Sequence, residues 1–481
     1  MENNETAAGP NAFNRREFIQ NAASFSALMA FMGGVPLHAE EATNAPASGD
    51  TGYSTDPTPL NFGVIGCGTQ GREIIQTLSR LVSAPTRPPV YPLAPVVAIC
   101  DSYPAAFKRV KESAPTAETF TDYHKLLEKK EVQAVIVATP SHQHREIVEA
   151  ALAAGKHVYC EAPLATTVED ARAIALAAKK AIKVNFQSGL QMRADPQRKF
   201  LLPFIRSGAT GKNTMARSQW HKKQSWRRTA PTPEREAALN WHLNAATSPG
   251  LMGELVIHQL DMICWLMNKR PNAVSGWGST LQWKDGRTVA DTIQAMFEFP
   301  DGVNYFADAS IANSFDAAYE ILSGSDSAVM LRSTPEEGSK AWLFKEVDSP
   351  LLGWEVYARK EQFYKETGIT LMLGASKLQI KLKAGAPPQD AITSLQHALR
   401  AFIENSDLIE TQVKNYVTSY GDDDAEALRG FITGPNITKA RISTAGWQEG
   451  LDATVLALKA NEAITKGQGH RVTLDKQMFE V

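Results

Sequence analysis

The chain is 481 residues long, so at roughly 100–200 residues per domain it holds two or three domains. It is 43% hydrophobic, 21% charged and 8% aromatic, which excludes intrinsic disorder, collagen and coiled coil. Its 50 basic and 52 acidic residues exclude a global pull toward nucleic acid or an anionic membrane surface.

The N-terminal segment reads as an address. Arg15 and Arg16 precede a mild apolar run, Ala22 to Val35, too short and too rich in Ala, Gly and Ser to span a bilayer. Paired arginines ahead of such a run resemble a twin-arginine export signal over residues 1–39. The expected location is periplasmic or otherwise exported, without stable membrane insertion. Leu37-His38-Ala39 is an imperfect cleavage site, and residues 40–59 read as a linker rich in Ala, Thr, Ser and Pro.

Leu60–Ile65 is an apolar run of strand length, and Gly66-Cys67-Gly68-Thr69-Gln70-Gly71 follows at once. Ile74, Ile75, Leu78, Leu81 and Val82 then recur at helical spacing. GxGxxG between a strand and a helix is the turn that receives a dinucleotide pyrophosphate. Gly66 allows the tight turn, Gly68 lets the backbone approach the phosphates, and Gly71 lets helix and strand pack closely. The helix N-terminus adds N–H groups and positive dipole. Pro95–Cys100 is the second strand, and Asp101 at its end is placed to bond the adenosine ribose and repel a 2′-phosphate. That favours NAD, with NADP as the alternative. A proline-rich stretch from Pro85 to Pro95 reads as an inserted loop.

Ala134–Ala138 is the next strand, closed by Thr139-Pro140. Ser141 is placed to cap a helix from His142 toward Ala154, and Gly155 to stop it. Lys156–Cys160, a helix opened at Thr167 and running to Lys180, and a strand Ile182–Gln187 continue the alternation. The pattern predicts a parallel doubly wound α/β sheet over residues 60–186. The four cysteines (Cys67, Cys100, Cys160, Cys264) form no CxxC pair and read as buried free thiols.

Residues 187–481 read as a C-terminal α/β domain for substrate and oligomerisation. Met215–Gln219 alternates like a strand and leads into Trp220, His221 and Lys222, with Trp241 of the same character. Such rings and cations fit either a solvated, oligomer-facing strand end or a pocket where indole faces stack on sugar CH groups. The balanced charge of the rest argues against nucleic acid. Glu254, His258 and Asp261 fall at i, i+4 and i+7, one face of a helix, where the carboxylate would orient the imidazole and raise its basicity. No second histidine completes a zinc pattern, so no metal is expected. Trp265, Trp277 and Trp283 read as core. Val274–Trp283, Thr292–Phe299 and Val303–Ala309 read as strands, Ala391–Ile403 as an amphipathic helix and about 406–439 as an insertion. Trp447–Ala463 reads as a closing helix before a last strand at Val472–Leu474.

The stretches Gly66–Gly71, Ala138-Thr139-Pro140 with His144, and Ala154–Val158 running into Glu161-Ala162-Pro163-Leu164 resemble the Gfo/Idh/MocA family. The resemblance covers most of residues 60–460. It implies a Rossmann domain, a second domain with an open, largely antiparallel sheet, a bound nicotinamide cofactor and a sugar or polyol substrate. A homo-oligomer through that sheet is expected. It implies that Thr139, Pro140 and His144 line the nicotinamide side, that Glu161 reaches a cofactor ribose, and that Gln187 and Arg193 face the site. It also implies that His258 is the general base, with Glu254 where the family has an aspartate. Ala162 stands where the family has a lysine that touches cofactor and reacting hydroxyl. The expected function is an NAD(P)-dependent oxidoreductase moving hydride between nicotinamide and a hydroxyl of a sugar, glycoside or polyol. The alternatives are an NAD-dependent glycoside hydrolase working by transient oxidation and elimination, and a non-catalytic protein that keeps the cofactor.

Overall fold

The computed structural model describes residues 59–83, 93–334, 338–347, 349, 369–373 and 393–481. The export-signal reading, the linker up to residue 58 and most of the proline-rich loop lie outside them. The first sheet is built from short strands whose residues are mostly apolar and buried, as parallel strands require, except at the largely exposed edge strand. These are β1 (Phe62–Ile65), β2 (Val96–Cys100), β3 (Glu118–Phe120), β4 (Ala134–Val137), β5 (His157–Cys160) and β6 (Phe186–Ser188). Their order is β3-β2-β1-β4-β5-β6 and every pairing is parallel. The direction of winding reverses between β1 and β4, so the crevice at their C-terminal ends is where such a sheet takes a ligand. Helix α1 (Thr69–Ser83) buries Ile74, Ile75 and Leu78 completely against this sheet. Helix α2 (His144–Ala153) stops at Gly155, φ 69°, and α3 (Val168–Lys180) is capped by the Thr167 hydroxyl, which accepts from Asp170 N–H.

The second sheet contains β7 (Asn213–His221), β8 (Ala273–Ser279), β9 (Thr292–Glu298), β10 (Asn304–Ser310), β11 (Ala318–Gly324), β12 (Ser327–Thr334) and β13 (Gly338–Lys345). The order runs β13-β12-β11-β7-β10-β9-β8, and the strand Arg471–Thr473 follows β8. All these pairings are antiparallel except β7 with β10. Between β7 and β8 comes α4 (Ile257–Met267), apolar nearly all round and buried accordingly.

Helix α5 (Ser394–Tyr420) is longer than the sequence suggests. The insertion expected from about 406 begins within it, yet Ser406 and its neighbour Asn405 are both buried. Asn405 exchanges two hydrogen bonds with the Ile442 backbone, each 2.8 Å, and Ser406 accepts from Asn185 at 3.2 Å. The first half of α5 puts Leu395, Ala398, Leu399 and Phe402 into one core with Phe62 and Tyr159 of the first sheet. The domain boundary at residue 187 is therefore crossed again by the chain. Helix α6 (Trp447–Lys466) covers one face of the second sheet, where Ile464 lies against Gly276 and Gly278 of β8. The opposite face exposes Met215, Trp277 and Phe306 by 43%, 43% and 46%. Trp277 thus departs from the core expectation, while Trp265 meets it and Trp283 is half-buried. All four cysteines are free, three of them buried. Among the described residues no helix is long and apolar enough to cross a membrane.

Candidate active site

The glycine turn sits at the β1–α1 junction with the geometry that its sequence demands. Gly66 has φ 99°, and a Cβ on Gly71 would stand 1.8 Å from the Gly66 carbonyl oxygen. A Cβ on Gly68 would meet nothing within 4 Å, so the outer side of the turn is open beside the N–H groups of α1. These residues fit a dinucleotide pyrophosphate. Asp101 buttresses the turn: one carboxylate oxygen accepts from Cys67 N–H at 2.9 Å and the other from Tyr103 N–H at 2.8 Å. The Cys67 thiol itself is buried, leaving only its backbone to the site. Gln70 donates to Glu161 at 3.0 Å, and burial pushes the Glu161 carboxyl up to about 7.

Two cofactor expectations need correction. His144 is buried, and its ring nitrogens lie 3.0 Å from the carbonyls of Pro163 and Thr139, so the ring fixes the loops after β4 and β5 and has no nitrogen left for a ligand. Gln187 is buried on the side of α5, where it donates to the Ala398 carbonyl at 2.9 Å. Thr139 and Pro140 follow the end of β4.

The catalytic candidates are arranged differently from a regular helix. Met252–Val256 forms a π-turn leading into α4. The extra residue per turn changes the phase, and no described hydrogen bond joins Glu254 to His258. Glu254 Oε1 instead accepts from Ser248 at 3.1 Å and from Ser141 at 3.4 Å. Ser141 was expected to cap α2, but its hydroxyl ties the β4 loop to Glu254. Burial pushes the Glu254 carboxyl up to about 8, with the two hydroxyls pulling it back only in part. Burial holds His258 down to about 4, and among the described residues no hydrogen-bond partner meets its ring. Burial thus favours the neutral form of both groups.

Asp261 and Arg193 are consumed by each other. Arg193 Nε lies 3.1 and 2.9 Å from the two Asp261 oxygens and Nη2 lies 2.8 Å from Oδ1, with the guanidinium 5.3 Å from the Trp265 ring. Asp261 is 4% exposed, so this pair is a buried strut rather than two substrate ligands. His221 is also misplaced by the sequence reading. Alternation along β7 puts it on the open sheet face, 2.6 Å from Asp308 of β10, while Trp220 points to the face covered by helices. Lys222 is exposed beyond the strand end.

Trp241 belongs to a segment that sequence reasoning undervalued. Its ring lies 6.1 Å from His142 in the loop after β4. Arg228 Nη2 donates to Thr69 Oγ1 at 2.6 Å, and the Arg235 guanidinium lies 3.9 Å from the Tyr103 ring centre. The segment thus touches the turns after β1, β2 and β4. The signal was the run of arginines among Pro and Thr, which carries no periodicity.

Residues 60–189 match the family model described as an oxidoreductase family with an NAD-binding Rossmann fold, and residues 203–327 match the Gfo/Idh/MocA C-terminal domain. Inositol 2-dehydrogenase of Salmonella typhimurium (strain LT2) is 29% identical over 216 residues, 44% of this chain and 55% of that protein. Inositol 2-dehydrogenase of Pseudomonas fluorescens (strain SBW25) is 32% identical over 210 residues, with the same two shares. The chain spans about half the length of the curated relatives it matches. Among solved structures, a levoglucosan dehydrogenase in complex with NADH superposes with a TM-score of 0.61 at 18% identity, covering 87% of this chain and 100% of the other. An aldose-aldose oxidoreductase from Caulobacter crescentus complexed with glycerol gives 0.59 at 19% identity, covering 87% and 100%. At that identity the likeness shows the fold, with a parallel Rossmann sheet joined to a mixed, mostly antiparallel one. Glycine turn, sheet order and both family models agree: the chain belongs to the Gfo/Idh/MocA family of oxidoreductases.

Proposed function

We propose that this chain is an NAD(H)-dependent oxidoreductase acting on a hydroxyl of a sugar, glycoside or polyol. The observation that carries the reading is the tie between the two halves of the site. The loop ending β4 of the dinucleotide sheet is hydrogen-bonded through Ser141 to Glu254, four residues before His258, whose ring meets no hydrogen-bond partner among the described residues and is held neutral by burial. The names of the relatives, inositol and levoglucosan dehydrogenases among them, support a carbohydrate substrate. His258 accepts the proton of the reacting hydroxyl, a step worth on the order of 10²–10⁴ in rate. The nicotinamide, when bound, supplies the hydride acceptor. Glu254, which accepts from Ser248 and Ser141, holds the loop after β4 against the helix that carries His258. Asp101 beside the turn favours NAD over NADP, since a 2′-phosphate would meet a carboxylate. The test is NADH formation by the full chain across a polyol and sugar panel. Net NADH with a free sugar supports the reading, and inertness with every panel member opposes it.

Two observations favour a second reading, the glycoside hydrolase with transient oxidation. Ala162 removes the family's lysine, and burial favours the protonated form of the Glu254 carboxyl, the form that protonates a leaving glycosidic oxygen. NAD-dependent cleavage that leaves NAD unchanged would select it. We also propose export by the twin-arginine route, supported by Arg15-Arg16 ahead of Ala22–Val35, and a homo-oligomer through the open sheet face, supported by exposed Met215, Trp277 and Phe306.

A further inference from the structure

The segment from Trp226 to Trp241 is built to hold a shape. Trp226 sits at φ 63°, and its carbonyl meets His242 Nε2 at 3.3 Å. Asn240, buried, grips the backbone of Arg228 from both sides: its Oδ1 accepts from Arg228 N–H at 2.8 Å and its Nδ2 donates to the Arg228 carbonyl at 2.8 Å. The short helix Pro233–Leu239, capped by Thr232, carries Arg235 to the Tyr103 ring. This second-domain segment therefore reaches Thr69 in the glycine turn, Tyr103 two residues after Asp101, and His142 after β4. Those are three of the turns that a dinucleotide follows in a sheet of this order.

The charge of the segment points the same way. Arg72, in the first turn of α1, has its charged form disfavoured first by burial and then by Arg109 and Arg228, so three guanidinium groups lie near one another around the turn. Among the described residues no carboxylate pairs with Arg72, Arg109, Arg228 or Arg235, although most other arginines here have one. Like charges gathered beside a helix N-terminus without a carboxylate among the described residues to pair with them call for an anion.

We infer that Arg228, fastened by Asn240 and flanked by Arg235, forms a second-domain wall of the dinucleotide site and holds the pyrophosphate against the Gly66–Gly71 turn. Arg235 acts as a positioning residue that latches the segment onto Tyr103. The inference rests on the proposed NAD(H) binding and adds a residue set that the glycine motif does not contain. Cofactor release then requires this segment to lift.

The test is binding, read by fluorescence titration and competition with the full chain, for NADH, NADPH, ADP and adenosine. Arg228→Ala should weaken NADH and ADP by about ten-fold, leave adenosine within about two-fold, and speed NADH release in a chase by about ten-fold. Arg228→Lys should recover part of the loss. Because Arg228 is exposed, the variant should fold, and a melting curve checks it. Equal loss for adenosine and ADP would reduce Arg228 to shaping the segment and overturn the assignment. A loss confined to NADPH would put Arg228 at a 2′-phosphate and overturn it too. Unchanged NADH and ADP binding beside a wild type that binds both would defeat the inference alone, whereas a wild type that binds no dinucleotide would remove the proposed function with it.

Discussion

The two sides of the site are encoded differently. The cofactor side is six consecutive residues whose backbone requirements are their function: Gly66 for a positive φ, Gly68 for open space, Gly71 for close approach. The proposed catalytic side gathers Ser141 and the stretch holding Ser248, Glu254 and His258 from two distant parts of the chain, and the charged residues nearest in pattern, Arg193 and Asp261, serve as its strut. A contiguous turn carries its own geometry. A dispersed site borrows geometry from long-range pairs, and some polar residues that look catalytic are spent on holding it.

The largest effect should come from the strut. Asp261→Asn leaves Arg193 buried without its counter-charge and should cost about 3–5 kcal/mol of stability, read by urea or thermal unfolding. If stability were unchanged while turnover vanished, Asp261 would belong to the chemistry and the contrast between the two sides would fail. Next comes the turn. Gly71→Ala pushes a methyl into the Gly66 carbonyl and should destabilise by about 1–3 kcal/mol with loss of NADH binding. Gly68→Ala, with open space around it, should keep stability within about 0.5 kcal/mol yet weaken NADH. Equal stability losses for the two would break the reading of the turn.

The last effect is a pH dependence. The folded Glu254 carboxyl titrates at about 8, above its ordinary 4.5, so the folded state binds the extra proton between those values. Its contribution to stability is complete below the ordinary value and is lost as pH rises through about 8. Glu254→Gln, neutral throughout, should therefore lose less stability than wild type across that window, read as melting temperature against pH. A wild type and variant with parallel profiles would show that Glu254 is ionised in the fold.

Much of the first sheet was legible because parallel strands are continuous apolar runs, and Thr167 and Gly155 punctuate them by turn chemistry. The length of α5 was hidden because Asn405 and Ser406 are polar in sequence and become buried only through Ile442 and Asn185, far away in the chain. Glu254 and His258 were found as residues, but their relation was misread: a spacing of four assumes an α-helical phase, and a π-turn leaves no mark in apolar periodicity. His221 has the right chemistry on the wrong face, which only the register of β7 with β10 decides. The arginine segment Trp226–Trp241 has no repeating pattern for a sequence to show.

The central claim is that proton transfer rests on His258 while cofactor binding rests on the turn. The most direct measurement compares wild type and His258→Ala for turnover of the proposed sugar, glycoside or polyol substrate, alongside NADH affinity. The account predicts a fall in turnover of roughly 10²-fold or more with NADH affinity unchanged. Wild-type turnover in His258→Ala would contradict it.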